Sequence, residues 1–282
     1  MTEELQKKVD RAIRLIQSAG KIADEHGQPL EICYSGGKDS DVILELAKMS
    51  GVNYRAIYKN TTIDPPGTIK HAQDRGVEIV RPKTTFRQLI EKKGMPSRLR
   101  RFCCEVLKEY KIMDYAVVGV RRDESSARKA RYQEPEQCYV YNKHDKALLY
   151  YPLLDFTKDD IAEFVAERGI TCHPLYYDVG GAFHPERRLG CMCCPLAYQK
   201  RRIAEFMEHP GMVRLYVKAA QKFYDNHPDS KMRDYLDDAA EMFVLNIFCD
   251  SVADFKAKFK PDDPQKRIDC KAFLEEKFGI KL

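Results

Sequence analysis

The chain has 282 residues, 44% of them hydrophobic and 32% charged, a globular composition that excludes a disordered one. At roughly 150 residues per domain that is one large domain or two small ones. No apolar run approaches the roughly 18–20 residues of a membrane span, and the start, MTEELQKKVDRAIRLIQ, is amphipathic without a signal-peptide core, so a cytoplasmic protein with no membrane contact is expected. Thiols stay reduced there, so ten cysteines need a use in packing, metal binding or catalysis. The net charge is +5, but residues 81–131 hold 15 Lys and Arg against 6 Asp and Glu. That segment therefore carries +9 and the remainder −4, which a local anionic ligand explains better than general solubility does.

Leu5, Val9, Ile13, Ile16 and Ile22 predict an amphipathic helix over 4–25. LEICY (30–34) reads as a buried strand and 41–49 as a helix. A strand at 54–58, a Pro/Gly turn at 64–67, a helix at 68–75 and strands at 77–80 and 115–120 follow. Strands alternating with helices predict an α/β fold, a Rossmann-like parallel sheet with helices on both faces. Beyond about 195 only helical segments remain, at 195–208, 211–225, 232–247 and 265–278. The expected division is a nucleotide-binding domain over 1–195 and a helical C-terminal extension over 196–282.

Ser35-Gly36-Gly37-Lys38-Asp39-Ser40 follows Tyr34, the end of the first strand, and leads into the apolar-periodic Val42, Ile43, Leu46 and Ala47. Adjacent glycines permit a sharp turn and close backbone approach. Free N–H groups at a helix start favour an anion. Lys38 adds a charge, Ser35 and Ser40 add hydroxyls, and Asp39 would hold magnesium or cap the helix. The lysine follows the glycines directly, unlike the GxxxxGK[ST] loop of kinases and GTPases.

SGGKDS at the end of a first strand resembles the PP-loop of adenine-nucleotide α-hydrolase-like ATP pyrophosphatases. The resemblance implies ATP, with magnesium, split to AMP and pyrophosphate while a substrate is adenylated. Its expected nucleotide contacts are Tyr34 through Ser40, Asn60 and Thr61 in the loop after the second strand, and Gly119.

Cys103 and Cys104 lie in RLRRFCCEVLK, and Cys191, Cys193 and Cys194 in RRLGCMCCP. Two tight thiol groups far apart in sequence can close one four-thiolate site for an iron–sulfur cluster or zinc. Side chains of adjacent residues diverge, which suits the larger cubane better than one small ion. Arg98, Arg100, Arg101, Arg187, Arg188, Lys200, Arg201 and Arg202 would offset a cluster's negative charge. The other five cysteines read as core thiols.

CC, a long gap and CxxC resemble the cluster-containing branch of the phosphoadenosine-phosphosulfate (PAPS) reductase family, namely the adenylylsulfate reductases, and the ATP pyrophosphatases of DNA phosphorothioation. The resemblance implies a 4Fe–4S cluster on Cys103, Cys104, Cys191 and Cys194, with a C-x-C set through Cys193 as the competing arrangement. Gly119-Val-Arg-Arg-Asp-Glu-Ser-Ser-Ala-Arg128 looks like the family's strand-end segment, placing Arg121 or Arg122 and Arg128 on nucleotide or oxyanion as guanidinium forks. Lys38, Asp39, Arg121, Arg122 and Arg128 are thus the expected catalytic set. Tyr151–Thr157 with Asp159, Asp160 and Ile161 resembles the family's lead into a helix, with Thr157 its N-cap. His173-Pro-Leu-Tyr176 before Gly190-Cys191 completes the order.

Two departures separate the chain from the reductases. Their attacking cysteine lies in a mobile Glu-Cys-Gly-type segment, whereas Cys270 sits in RIDCKAFL and Cys249 in NIFCD. Their phosphate loop is altered, whereas GGKDS is intact here. ATP cleavage that activates an acceptor for sulfur, a nucleic acid or a sulfur carrier, is the leading expectation. Sulfonucleotide reduction to sulfite and a nucleotide-binding accessory subunit without turnover are the alternatives.

Overall fold

The computed structural model describes all 282 residues, which form two compact units. The first comprises Met1–Asn60, Asp64–Arg81 and Lys108–Gly190, and the second Thr61–Ile63, Pro82–Leu107 and Cys191–Leu282.

Unit 1 opens with α1 (Glu3–Glu25), capped by Thr2, whose hydroxyl accepts the Leu5 N–H at 3.3 Å. Its buried stripe runs Leu5, Val9, Ala12, Ile16, Ala19, Ala23, a spacing of three or four residues. Ile13 and Ile22 lie at the margin, only half-buried. Then come β1 (Leu30–Tyr34), α2 (Lys38–Ser50), β2 (Tyr54–Lys59), α3 (Thr68–Gln73) and β3 (Glu78–Val80). After the excursion of 82–107 into unit 2, the chain supplies β4 (Tyr115–Val118), and after a 3₁₀ turn at Arg122–Glu124 come α6 (Ser126–Arg131), β5 (Glu136–Val140), β6 (Lys146–Tyr150) and α7 (Lys158–Glu167); α4 (Phe86–Lys93) and α5 (Phe102–Leu107) belong to the excursion. Thr157 caps α7 in a reciprocal box with Asp160, as its sequence position predicts.

The sheet order is β3-β2-β1-β4-β6-β5. All neighbours pair in parallel except the edge strand β5, which pairs antiparallel with β6. This is the expected α/β architecture. The β5–β6 hairpin is additional: four of the five β5 residues, all but Tyr139, are exposed, which gives no apolar alternation to read. Leu30, Ile32, Ala56, Val117 and Tyr150 face a core shared with α1, α2 and α7. Each such fully buried aliphatic side chain contributes about 1.5–3 kcal/mol. Alternate residues Cys33, Ala116, Val118, Ala147 and Leu149 form a second, smaller cluster with Tyr132, Tyr139, Tyr141 and Tyr151. The chain leaves β1 toward β2 on one side, while β4 flanks β1 on the other. The C-terminal ends of β1 and β4 therefore bound the point where the strand order reverses, which is where open α/β sheets bind ligands.

Unit 2 is helical: α4, α5, α8 (Gln199–Glu208), α9 (Pro210–Asp225), α10 (Ala239–Phe248), α11 (Val252–Lys258) and α12 (Cys270–Phe278). Its core is aromatic. Phe206 meets Tyr216 and Phe243 edge-to-face, with ring centroids 5.2 and 5.1 Å apart, an arrangement that adds stability beyond area burial. Phe86 brings α4 onto α9 through Tyr216, centroids 5.3 Å apart. The segment expected as one helix over 232–247 is a 3₁₀ turn (Lys231–Asp234) followed by α10, which Asp238 caps. No helix is long and apolar enough to cross a membrane.

Candidate functional site

The SGGKDS motif bridges β1 and α2. The helix begins at Lys38 rather than near 41, so Lys38, Asp39 and Ser40 form its first turn. Gly36 has φ +78°, and a Cβ there would come within 2.7 Å of Thr68 Cγ2, so both the backbone and the packing require glycine. The N-cap, Gly37, offers no side-chain hydrogen bond, leaving the N–H groups of the first turn without an Asp or Ser cap. The loop hydroxyls are wired inward: Ser40 Oγ donates to the Gly37 carbonyl at 2.7 Å, and Ser35 Oγ lies 3.3 Å from Ser40 Oγ.

Two buried cations meet one carboxylate beside this turn. Lys38 Nζ is 3.1 Å from Asp39 Oδ2, and Arg121 Nε is 2.6 Å from Asp39 Oδ1. Lys38 and Arg121 are only 3% and 4% exposed. Arg121 Nη1 also reaches Asp123 Oδ2 at 3.2 Å, and that oxygen accepts the Lys158 N–H at the start of α7. Gly119, at the end of β4, lies against Asp39 and Ile43. Arg122 points elsewhere: it pairs with Asp155 at 2.5 Å and donates to the carbonyls of Tyr132 and Gln133. Arg128 and Arg188 share Glu124.

Tyr34 is not at the loop surface. Its hydroxyl donates to Asp41 Oδ1 at 2.5 Å, and burial pushes its pKa far up. Asp41 also holds His71 Nε2 at 3.1 Å and Arg75 Nε at 2.9 Å. No motif announces this network, since His71 and Arg75 stand alone in the sequence. His173 accepts the Leu175 N–H on Nδ1 at 3.2 Å and sits 3.4 Å from Thr68 Oγ1 through Nε2. Burial and the neighbouring His71 lower its pKa, so it acts as a neutral brace.

In unit 2, the backbone N–H of Met192 donates to the Ile63 carbonyl at 2.7 Å, tying 61–63 to the second cysteine segment. Thr61 Oγ1 lies 3.6 Å from Cys191 Sγ, so Thr61 keeps company with the thiols, while Asn60 ends unit 1 by donating to the Val80 carbonyl at 3.0 Å. A hydrogen bond with Cys104, burial and the nearby Cys194 push the Cys103 thiol far up. Burial also raises Cys194, with Cys191 and Cys104 adding to it. These four thiols are thus electrostatic neighbours in the one unit. Cys193 differs. Its φ is +50°, its side chain is fully buried in the aromatic core, and Tyr216 holds its carbonyl at 2.9 Å. Burial raises its thiol to about 12. No three His, Cys, Asp or Glu side chains close around a single-ion position.

Arg202 gives a test of what the thiols accommodate. It is 9% exposed, donates to the carbonyls of Pro195 and Ile247 at 2.9 and 3.1 Å, and leaves Nε without a partner. It makes no ion pair; burial and the charge of Arg98 lower its pKa, and the charges of Asp250 and then Cys194 oppose that. A buried guanidinium with no direct ion pair favours further negative charge nearby, beyond what Asp250 supplies. A thiolate-held cluster of net negative charge fits that requirement and the soft donor set. The sequence places Arg202 among eight basic residues flanking the thiols but does not single it out from them.

A mostly parallel sheet with a glycine loop and helix start at its switch point defines a PP-loop α/β nucleotide-binding protein. Residues 29–197 match the phosphoadenosine phosphosulfate reductase domain, and the chain belongs to that family. An uncharacterised protein of Methanocaldococcus jannaschii is 27% identical over 242 residues, covering 79% of this chain and 54% of that one; the chain spans about half the length of this curated relative. Among solved structures, a PAPS reductase from Candida auris in a phosphate complex is similar at TM-score 0.45 and 16% identity, over 68% of this chain and 96% of that one. An NH3-dependent NAD synthetase from Campylobacter jejuni is similar at TM-score 0.43 and 14% identity, over 80% and 95%. A Candida glabrata FMN adenylyltransferase bound to FMN and an ATP analogue is similar at TM-score 0.41 and 16% identity, over 68% and 64%.

Proposed function

We propose that the chain is an ATP pyrophosphatase-type enzyme of sulfur chemistry: it binds ATP at the Ser35–Ser40 loop, transfers AMP to an acceptor with release of pyrophosphate, and so readies the acceptor for sulfur. The observation that carries this reading is the buried Lys38–Asp39–Arg121 set at the open start of α2. Lys38 and Arg121, held by Asp39 and Asp123, stand beside a helix start that has no side-chain cap, a cradle suited to a polyphosphate once the cations exchange partners. On nucleotide binding, Lys38 and Arg121 would exchange Asp39 for phosphate oxygens. Asp39 would then be the carboxylate to hold Mg²⁺, a hard cation that neutralises charge on the phosphates. An acceptor oxygen attacks the α-phosphorus, the bond from that phosphorus to the bridging oxygen breaks, and its electron pair leaves with pyrophosphate. Lys38 and the α2 N–H groups stabilise that charge. Arg128 and Arg188, sharing Glu124, would meet the acceptor, while Arg122 holds the strand-end turn in place.

Cys103, Cys104, Cys191 and Cys194 would hold the 4Fe–4S cluster with Arg202 as its buried counter-charge, and the cluster supplies redox or sulfur chemistry when bound. The acceptor is an anionic macromolecule, a nucleic acid or a sulfur carrier. The basic segment supports this: 82–107 hold 7 Lys and Arg against 2 acids, and 108–131 hold 7 against 4.

Family membership favours a second reading, sulfonucleotide reduction. The thiols argue against it: Cys249 and Cys270 are 7% and 4% exposed, and burial raises them to about 11 and about 12, far from a reactive thiolate. Incubation with ATP, Mg²⁺ and candidate acceptors should release pyrophosphate, and Lys38→Ala should lower the rate about 10²–10³-fold. Sulfite from PAPS or adenylylsulfate, without pyrophosphate release, would install the reductase reading. ATP binding with no product under any acceptor would install that of an accessory subunit.

A further inference from the structure

We propose that Tyr176 is a phosphate-contacting residue of the loop, its hydroxyl donating a hydrogen bond to the phosphate held at the start of α2. The inference rests on the nucleotide reading above and adds a neutral donor that the SGGKDS motif does not contain.

Tyr176 closes the 3₁₀ turn Pro174–Tyr176, whose geometry His173 fixes from both sides: its ring accepts the Leu175 N–H and its carbonyl accepts the Tyr176 N–H at 2.9 Å. The phenol is 2% exposed. A buried phenol ordinarily donates to a carbonyl or carboxylate. Here the oxygen receives instead. The Leu189 N–H donates to it at 3.2 Å, and the Lys38 N–H acts on it from the first turn of α2. Both partners are donors, and a hydroxyl has two lone pairs and one proton. The proton is therefore left needing an acceptor.

The surroundings define what that acceptor is. The phenol oxygen lies 3.2 Å from where a Cβ of Gly37 would stand, so it is seated in the loop itself. Lys38 Nζ lies 5.3 Å from the centre of the Tyr176 ring. The nearest carboxylate, Asp39, is committed to Lys38 and Arg121. A site of N–H donors, two cations able to leave their carboxylates and an unspent O–H suits an incoming anion. Burial holds the phenol near 12, so it stays protonated at neutral pH and donates without adding charge. Such a bond strengthens as charge develops on departing pyrophosphate.

The test is Tyr176→Phe in the full chain, with dissociation constants for ATP, pyrophosphate and adenosine measured by calorimetry. ATP and pyrophosphate should weaken roughly ten-fold or more, the effect of a lost hydrogen bond to a charged group, while adenosine is unchanged. Wild type that binds ATP and pyrophosphate no more tightly than the variant overturns the inference and leaves the nucleotide reading standing. Wild type that binds neither overturns both. A second measurement needs no variant: the Leu189 amide resonance of wild type should shift at saturating pyrophosphate as the phenol is polarised, and an unmoved resonance contradicts the proposal.

Discussion

The phosphate loop and the thiol region bury positive charge in opposite ways. Around Asp39, each buried cation has a carboxylate: Lys38 at 3.1 Å and Arg121 at 2.6 Å, with Asp123 behind. Near Cys194, Arg202 hydrogen-bonds only to carbonyls, leaves Nε unpartnered and feels the charge of Asp250 without pairing with it. The first arrangement is complete without ligand and works by exchanging partners, so the folded loop waits in a stable form. The second holds its cation without a direct ion pair, and desolvating a charge that is not directly paired is costly. On the proposed function, the loop would serve a substrate that comes and goes, and the thiols a group that stays.

That contrast is broken most sharply at the cysteines. Substituting Cys103, Cys104, Cys191 or Cys194 by Ser should remove most of the iron and sulfide from anaerobically purified protein, because losing one thiolate of four opens the cluster. Cys193→Ser, Cys249→Ser and Cys270→Ser should retain it. Iron retained in all seven, or zinc in a colourless wild type, contradicts the resident-cluster account.

Adjacent arginines sharpen the loop's side of the comparison. Arg121→Gln removes a cation from Asp39 and should lower pyrophosphate release about 10²-fold. Arg122→Gln should leave release within about three-fold and cost about 1 kcal/mol in urea unfolding, since its Asp155 partner is largely exposed. Equal kinetic losses from the two variants would dissolve the distinction.

The smallest expected effect lies away from both regions. Hydrogen bonds to Asp178 and then Glu186 raise the pKa of His184 above 6.5. A raised folded pKa means the contribution is fully present below the unfolded value and is lost as pH rises through the folded one. The His184 NMR titration midpoint should therefore exceed 6.5 and fall toward it in Asp178→Asn, while nucleotide binding is unaffected.

The phosphate loop was legible because its signal is local: a strand, two glycines and an apolar-periodic helix occupy 21 consecutive residues from Leu30 to Ser50. What depends on three-dimensional aim was not. Arg121 and Arg122 are the same residue type side by side, and only the direction in which β4 ends sends one to Asp39 and the other to Asp155. Cys193 and Cys194 are likewise identical in sequence, and the positive φ at 193 turns that side chain into the aromatic core. Nor does linear order reveal that 82–107 packs with residues beyond 191, since pairing across such a separation leaves no periodicity. The helix α11 was missed because its seven residues bury little besides Phe255.

The most direct test of the account is an equilibrium titration of the full chain with ATP and Mg²⁺, wild type against Lys38→Ala. The account predicts saturable binding by wild type and at least roughly ten-fold weaker binding by the variant, as expected on losing a charge-assisted contact to phosphate. Equal affinity in the two proteins, or no binding by wild type, would contradict it.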